Sequence, residues 1–163
     1  MRTNTLQAMA IGGFISFGIA SGFALAHSEH QHGQEIFAAG EPGDPSKPAR
    51  IVDVTMQDMD DGKMLFVPDI LTVGNGEQIK FRIHNSGRSA HEFMLDSLSH
   101  NARHKLAMQK NPDMQHDDPN GKTLDPGQSA EILWHFSKPG TFEFACLIPG
   151  HYEAGMHGSI TVK

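Results

Sequence analysis

Apolar and polar side chains alternate along much of the chain, the period of a strand with one face buried. Residues 77–84 set Ile79, Phe81 and Ile83 on one face and Gln78, Lys80 and Arg82 on the other. Ala130, Ile132, Trp134 and Phe136 alternate in the same way with Glu131, Leu133 and His135, and Phe142, Phe144 and Cys146 share a face of residues 141–146. Shorter runs at 51–54, 63–67, 70–73, 91–96 and 158–162 read as further strands, with Gly74-Asn75-Gly76, Asp125-Pro126-Gly127 and Pro139-Gly140 as turns between them. Seven or eight such strands predict an all-β Greek-key β-sandwich. Residues 97–122 break the alternation: they are polar, bear Met and His, and predict an insertion with a brief helix near 102–108.

The beginning of the chain follows another rule. Arg2 is the only charged side chain in the first 26 residues, and an apolar run over 8–20 leads to Ala24-Leu25-Ala26, the pattern of a secretory signal peptide. The run is short for a membrane span and is interrupted by Gly12, Gly13 and Gly18, so membrane contact is expected only if this segment stays uncleaved. Residues 27–48, rich in Gly, Pro and charge, predict a flexible tail bearing His27, His30 and His32, and 49–163 the single domain that 163 residues accommodate.

Composition then narrows the chemistry. With 13 Lys and Arg against 19 Asp and Glu the formal charge is −6, which argues against nucleic acid as a partner. Eleven His and nine Met in an exported chain point to soft or borderline metals. Cys146 is the only cysteine and cannot form an internal disulfide, so an exported thiol needs another reason to be there.

That reason lies in Cys146-Leu-Ile-Pro-Gly-His151-Tyr-Glu-Ala-Gly-Met156, where a thiol, an imidazole and a thioether share one loop between two strands. Copper cycling between Cu(I) and Cu(II) suits a thiolate and two imidazoles in a rough trigonal plane with a weak axial thioether. The loop supplies one imidazole. His91 is the best candidate for the second, because it opens a strand just after Asn85-Ser86-Gly87.

These residues resemble the cupredoxin family. The C-x4-H-x4-M loop is similar to that of the rusticyanin- and auracyanin-like members. The His91-Glu92-Phe93 strand, the His/Met insertion and the His-rich N-terminus resemble the periplasmic copper-tolerance cupredoxins of the CopI type. The resemblance covers about residues 51–163. It implies one type 1 copper with His91, Cys146 and His151 as equatorial ligands and Met156 as the axial one. In the final domain of multicopper oxidases histidines flank the cysteine; here the flanks are Ala145 and Leu147, which argues for a single electron-transfer domain and against a complete oxidase.

Further donors suggest weaker copper binding: His27, His30 and His32 in the tail, and His100, His104, Met108, Met114 and His116 in the insertion. His135 is expected on the solvent side, His157 at the rim of the site, His84 near the turn that feeds His91, and Met56, Met59 and Met64 in packing. The function expected is periplasmic copper tolerance by copper binding and one-electron transfer, not enzymatic turnover, in a monomer whose partner is a redox protein such as a cytochrome or a copper oxidase. A dedicated carrier in a respiratory chain is the alternative. A Cu(I) oxidase using an external electron acceptor ranks third.

Overall fold

The computed structural model describes residues 37–163. The expected signal peptide, residues 1–26, and His27, His30 and His32 lie outside them. The strands are β1 (Glu41–Pro42), β2 (Arg50–Asp58), β3 (Met64–Val67), β4 (Ile70–Val73), β5 (Gln78–Asn85) and β6 (His91–Asp96), followed by helix α1 (Leu98–Met108). After the helix come β7 (Asp117–Asp118), β8 (Gly121–Leu124), β9 (Ser129–His135), β10 (Gly140–Ala145) and β11 (His157–Val162). They form two mixed sheets, ordered β1-β9-β5-β2-β3 and β4-β11-β10-β6-β8-β7, the β-sandwich expected from the alternation.

Each alternating run turns its apolar side inward, as the two-residue strand period requires. Phe81 and Ile83 of the first sheet meet Phe93, Leu95, Phe142 and Phe144 of the second in one core, with Trp134 and Phe136 also fully buried. Phe93 stacks on Phe144 at 5.2 Å, and Phe66 meets both rings edge-on.

Strand β6 is buried at all six positions, because both its faces are covered. Phe93 and Leu95 enter the main core, whereas Met94 points the other way, into a small cluster with Met108, Ala145 and Leu147 beneath α1. Asn101 in α1 donates to Glu143 Oε2 at 3.1 Å, and Tyr152 donates to the other oxygen at 2.8 Å, so helix and metal-site loop share one buried carboxylate.

Three expectations need correction. The tail predicted to run through Pro48 becomes part of the domain from Phe37: β1 pairs with β9, Ala39 is fully buried, and Phe37 meets Trp134 edge-on at 5.1 Å. Two paired residues and one aromatic anchor are too short a signal to stand out in a Gly/Pro-rich stretch. Second, α1 begins one turn earlier than residue 102, because Ser97 caps it by accepting the His100 N–H at 3.2 Å. Third, the insertion contains β7 and β8 and ends by pairing with β6, Glu92 standing opposite Thr123. Among the methionines, Met56 is fully buried and Met64 packs on the core, whereas Met59 is exposed. Among the described residues no helix is long and apolar enough to cross a membrane.

Candidate metal centre

His91 opens β6 and Cys146 directly follows β10, its antiparallel neighbour, so both lie at the same end of the sandwich. They share inward parity: His91 with Phe93 and Leu95, Cys146 with Phe142 and Phe144. The strand ladder therefore delivers a thiol and an imidazole to one spot before the loop contributes anything.

The loop is then folded back by its own backbone. Cys146 N–H donates to Met156 O at 3.0 Å, Met156 N–H to His151 O at 3.1 Å, and His151 N–H to Ile148 O at 3.0 Å. Gly150 and Gly155 take φ of +91° and +101°, a region that side-chain-bearing residues rarely adopt, and these reversals bring His151 and Met156 back over Cys146. His151 Nδ1 lies 3.3 Å from Cys146 Sγ and 3.1 Å from His91 Nδ1. The donor atoms of His91, Cys146 and His151 all fall within 4.8 Å of one another, and Met156, whose carbonyl accepts the Cys146 N–H, is fully buried.

The surroundings hold these donors in place. The Glu92 N–H donates to Cys146 Sγ at 3.3 Å, a bond that favours a thiolate there. In the metal-free protein burial pushes the Cys146 thiol up to about 12. Burial lowers both His91 and His151 from their ordinary value, keeping the rings neutral with a lone pair available. His91 Nε2 stands 2.9 Å from Asp58 Oδ1, while Asp58 Oδ2 accepts the N–H groups of Arg88 and Ser89. Burial alone would raise the Asp58 carboxyl, but the Arg88 amide and the His91 ring bring it below its usual value. A carboxylate there keeps the His91 proton on Nε2 and turns Nδ1 toward the thiol, the usual support of a metal-binding imidazole.

Asp58 and Glu92 are contributors that the sequence did not single out. Asp58 ends a strand 33 residues before His91, with no local pattern to link them. Glu92 could have been found, because a charged residue inside an otherwise buried six-residue strand needs a partner.

The secondary candidates divide. His104 and His116 come together, their Nε2 atoms 3.1 Å apart. His100 instead pairs with Asp96 at 2.6 Å, Met108 is buried in the small cluster, and Met114 is exposed. His135 is partly exposed and bonds to Glu41, and His84 bonds to Ser129 at 2.9 Å. His157 is exposed and stacks on Tyr152 at the rim of the loop.

A soft thiolate with two neutral imidazoles and a buried thioether is a donor set that fits copper and suits hard cations poorly. Comparison with known proteins agrees. Residues 53–163 match the family of copper binding proteins, plastocyanin/azurin. The copper-resistant cuproprotein CopI of Rubrivivax gelatinosus is 43% identical over 86% of this chain and 88% of its own. That of Pseudomonas aeruginosa is 35% identical over 91% and 93%. Among solved structures, auracyanin from Roseiflexus castenholzii superposes with a TM-score of 0.60 over 72% of this chain and 99% of its own, at 21% identity, a likeness of fold. The chain belongs to the plastocyanin/azurin family of copper-binding proteins, the cupredoxins, and its cofactor is a type 1 copper ion.

Proposed function

We propose that this protein serves copper tolerance in the periplasm by binding copper and passing single electrons, with His91, Cys146 and His151 as equatorial ligands and Met156 as the axial one. The convergence of two imidazole nitrogens and one thiol sulfur within 4.8 Å, on buried strand ends, carries the reading. Copper bound there supplies a one-electron Cu(II)/Cu(I) couple.

The chain's own residues make that couple easy to cycle. Asp58 fixes the His91 tautomer, the Glu92 amide holds the sulfur, and three backbone bonds pin the loop, so the donors keep their places in either charge state. His151 is partly exposed between exposed Pro149 and Gly150 and the Tyr152–His157 stack, which gives a redox partner such as a cytochrome or a copper oxidase an edge on which to dock. The tolerance role draws on the two CopI relatives and on donors beyond the four ligands. The exposed His151 edge also suits the second reading, a dedicated electron carrier of a respiratory chain. Cu(I) oxidation with an external acceptor is a third reading, and Cu(I)-dependent turnover with a supplied acceptor tests it.

The test begins with one equivalent of Cu(II) added to the full chain. Intense thiolate-to-copper absorption in the visible is expected, and its loss in Cys146→Ser. Retained colour in that variant would refute the ligand set. A deletion strain with normal copper tolerance would remove the tolerance role and favour the carrier role.

A further inference from the structure

The chain has one tyrosine, and it directly follows a ligand. His151 turns toward the Cys146 sulfur, whereas Tyr152 turns the other way, onto the small cluster of Met94, Met108, Ala145 and Leu147 beneath helix α1. Its hydroxyl donates to Glu143 Oε1 at 2.8 Å, and the second oxygen of that buried carboxylate is taken by Asn101 of α1. A bond to a charged acceptor is roughly twice as strong as one between neutral groups, so the ring tip is firmly tied.

The ring itself is gripped as well. The Lys105 ammonium stands 4.3 Å from its centre, a cation–π contact, and His157 stacks on it with centroids 4.5 Å apart and planes 22° from parallel. The Tyr152 carbonyl accepts the Gly155 N–H at 3.0 Å, inside the reversal that returns Met156 toward Cys146.

A tie that served stability alone could sit anywhere along the loop. This one falls among the donors. Tyr152 is the chain neighbour of His151, its stacking partner His157 follows Met156, and His157 pairs in the ladder with Ala145, which precedes Cys146. One ring therefore touches chain neighbours of the thiol and of the thioether while its own backbone carries on from the imidazole.

We propose that Tyr152, held by Glu143, is a positioning residue of the metal centre: it fixes His151 and Met156 relative to Cys146 and so sets the reduction potential of the bound copper. The potential rests on the type 1 reading; the clamp does not, because it is built in the metal-free chain. Cu(II) favours a flatter, tetragonal donor set, and a pinned trigonal set with a weak axial sulfur denies it that relaxation. Releasing Tyr152 lets His151 and Met156 shift toward the arrangement that the oxidised ion prefers, so the potential falls.

The experiment compares the full chain with its Tyr152→Phe, Tyr152→Leu and Glu143→Gln variants. A redox titration of the copper-loaded proteins, followed at the thiolate band, gives the potential. Tyr152→Phe should keep the colour and shift the equilibrium about tenfold toward Cu(II), about 59 mV for one electron. Tyr152→Leu, which also loses the stack, should shift it further. Glu143→Gln, which still offers the hydroxyl an oxygen, should stay near the unsubstituted chain. In the metal-free proteins, amide exchange at Gly155 and Met156 should quicken about tenfold or more in both Tyr152 variants, the loss of one bond to a charged group. Val52→Ala, which thins the core on β2, should lower the thermal midpoint and leave both readouts alone. An unchanged potential or unchanged exchange in Tyr152→Leu, or an equal shift in Val52→Ala, would overturn the proposal. Missing thiolate colour in the unsubstituted chain would instead refute the type 1 reading, and the exchange rates would still decide whether Tyr152 clamps the loop.

Discussion

At the scale of single residues, the metal centre depends on who holds which proton. Burial lifts the Cys146 thiol to about 12 and lowers both His91 and His151, so at neutral pH the metal-free site carries one proton that copper displaces. Copper binding at pH 7 is therefore expected to release about one proton, which calorimetry in buffers of different ionisation enthalpy measures. Affinity should rise with pH until the thiol itself titrates. The fall toward acid should steepen once the rings protonate as well, below their ordinary value of 6.5 because their values are lowered. Release of two or more protons would mean that a ring is charged in the free protein. Gly87 guards the same network: a Cβ there would lie 2.8 Å from His91 Nε2 and 2.9 Å from Asp58 Oδ2. Gly87→Ala should push the carboxylate off the ring and lower the thermal midpoint by an amount equivalent to about 1–3 kcal/mol. An unchanged midpoint and an unchanged visible spectrum would show that the ring and carboxylate move aside freely.

At the scale of elements, what could be read from the sequence follows from how each element is built. Strands with one dry face, such as β5 and β9, alternate visibly and lie within a residue or two of where the pattern predicts them. β8 escaped because Gly121, Lys122, Thr123 and Leu124 show no alternation; pairing with β6, not its own side chains, makes it a strand. The loop donors were legible from spacing alone, since Cys146, His151 and Met156 are close in sequence. Asp58 was not, because its partner His91 lies on another strand, and Glu92 is marked only by its charge within a buried strand. α1 is marked only weakly, with Asn101 and Met108 its only buried residues, so its cap should matter: Ser97→Ala should cost about 1 kcal/mol in denaturant unfolding. The helix also braces the loop, with Lys105 paired to Glu153 at 2.9 Å and lying 4.3 Å over the Tyr152 ring. A Ser97→Ala protein of unchanged stability would mean that these ties, and not the cap, set the start of the helix.

At the scale of the whole molecule, the domain begins earlier than its alternation suggests. Phe37 and Ala39 cover Trp134, whose indole N–H donates to Ala39 O at 3.4 Å, and Lys138 reaches Phe37 O at 3.2 Å. A chain starting at residue 49 should be less stable than one starting at 37 by about 1.5–3 kcal/mol, the worth of one large apolar side chain, measured by the urea midpoint. Equal midpoints would return residues 37–48 to the role of a tail. The buried strand β6 has a consequence for how such a chain can diverge. His91 faces the interior and Glu92 the underside of the helix, so one codon gained or lost within 91–96 would turn every side chain to the opposite face and exchange a metal-facing imidazole for a carboxylate. Lineages descended from a common ancestor should therefore vary in length across 109–116, between helix and β7, while the six codons of β6 keep their number.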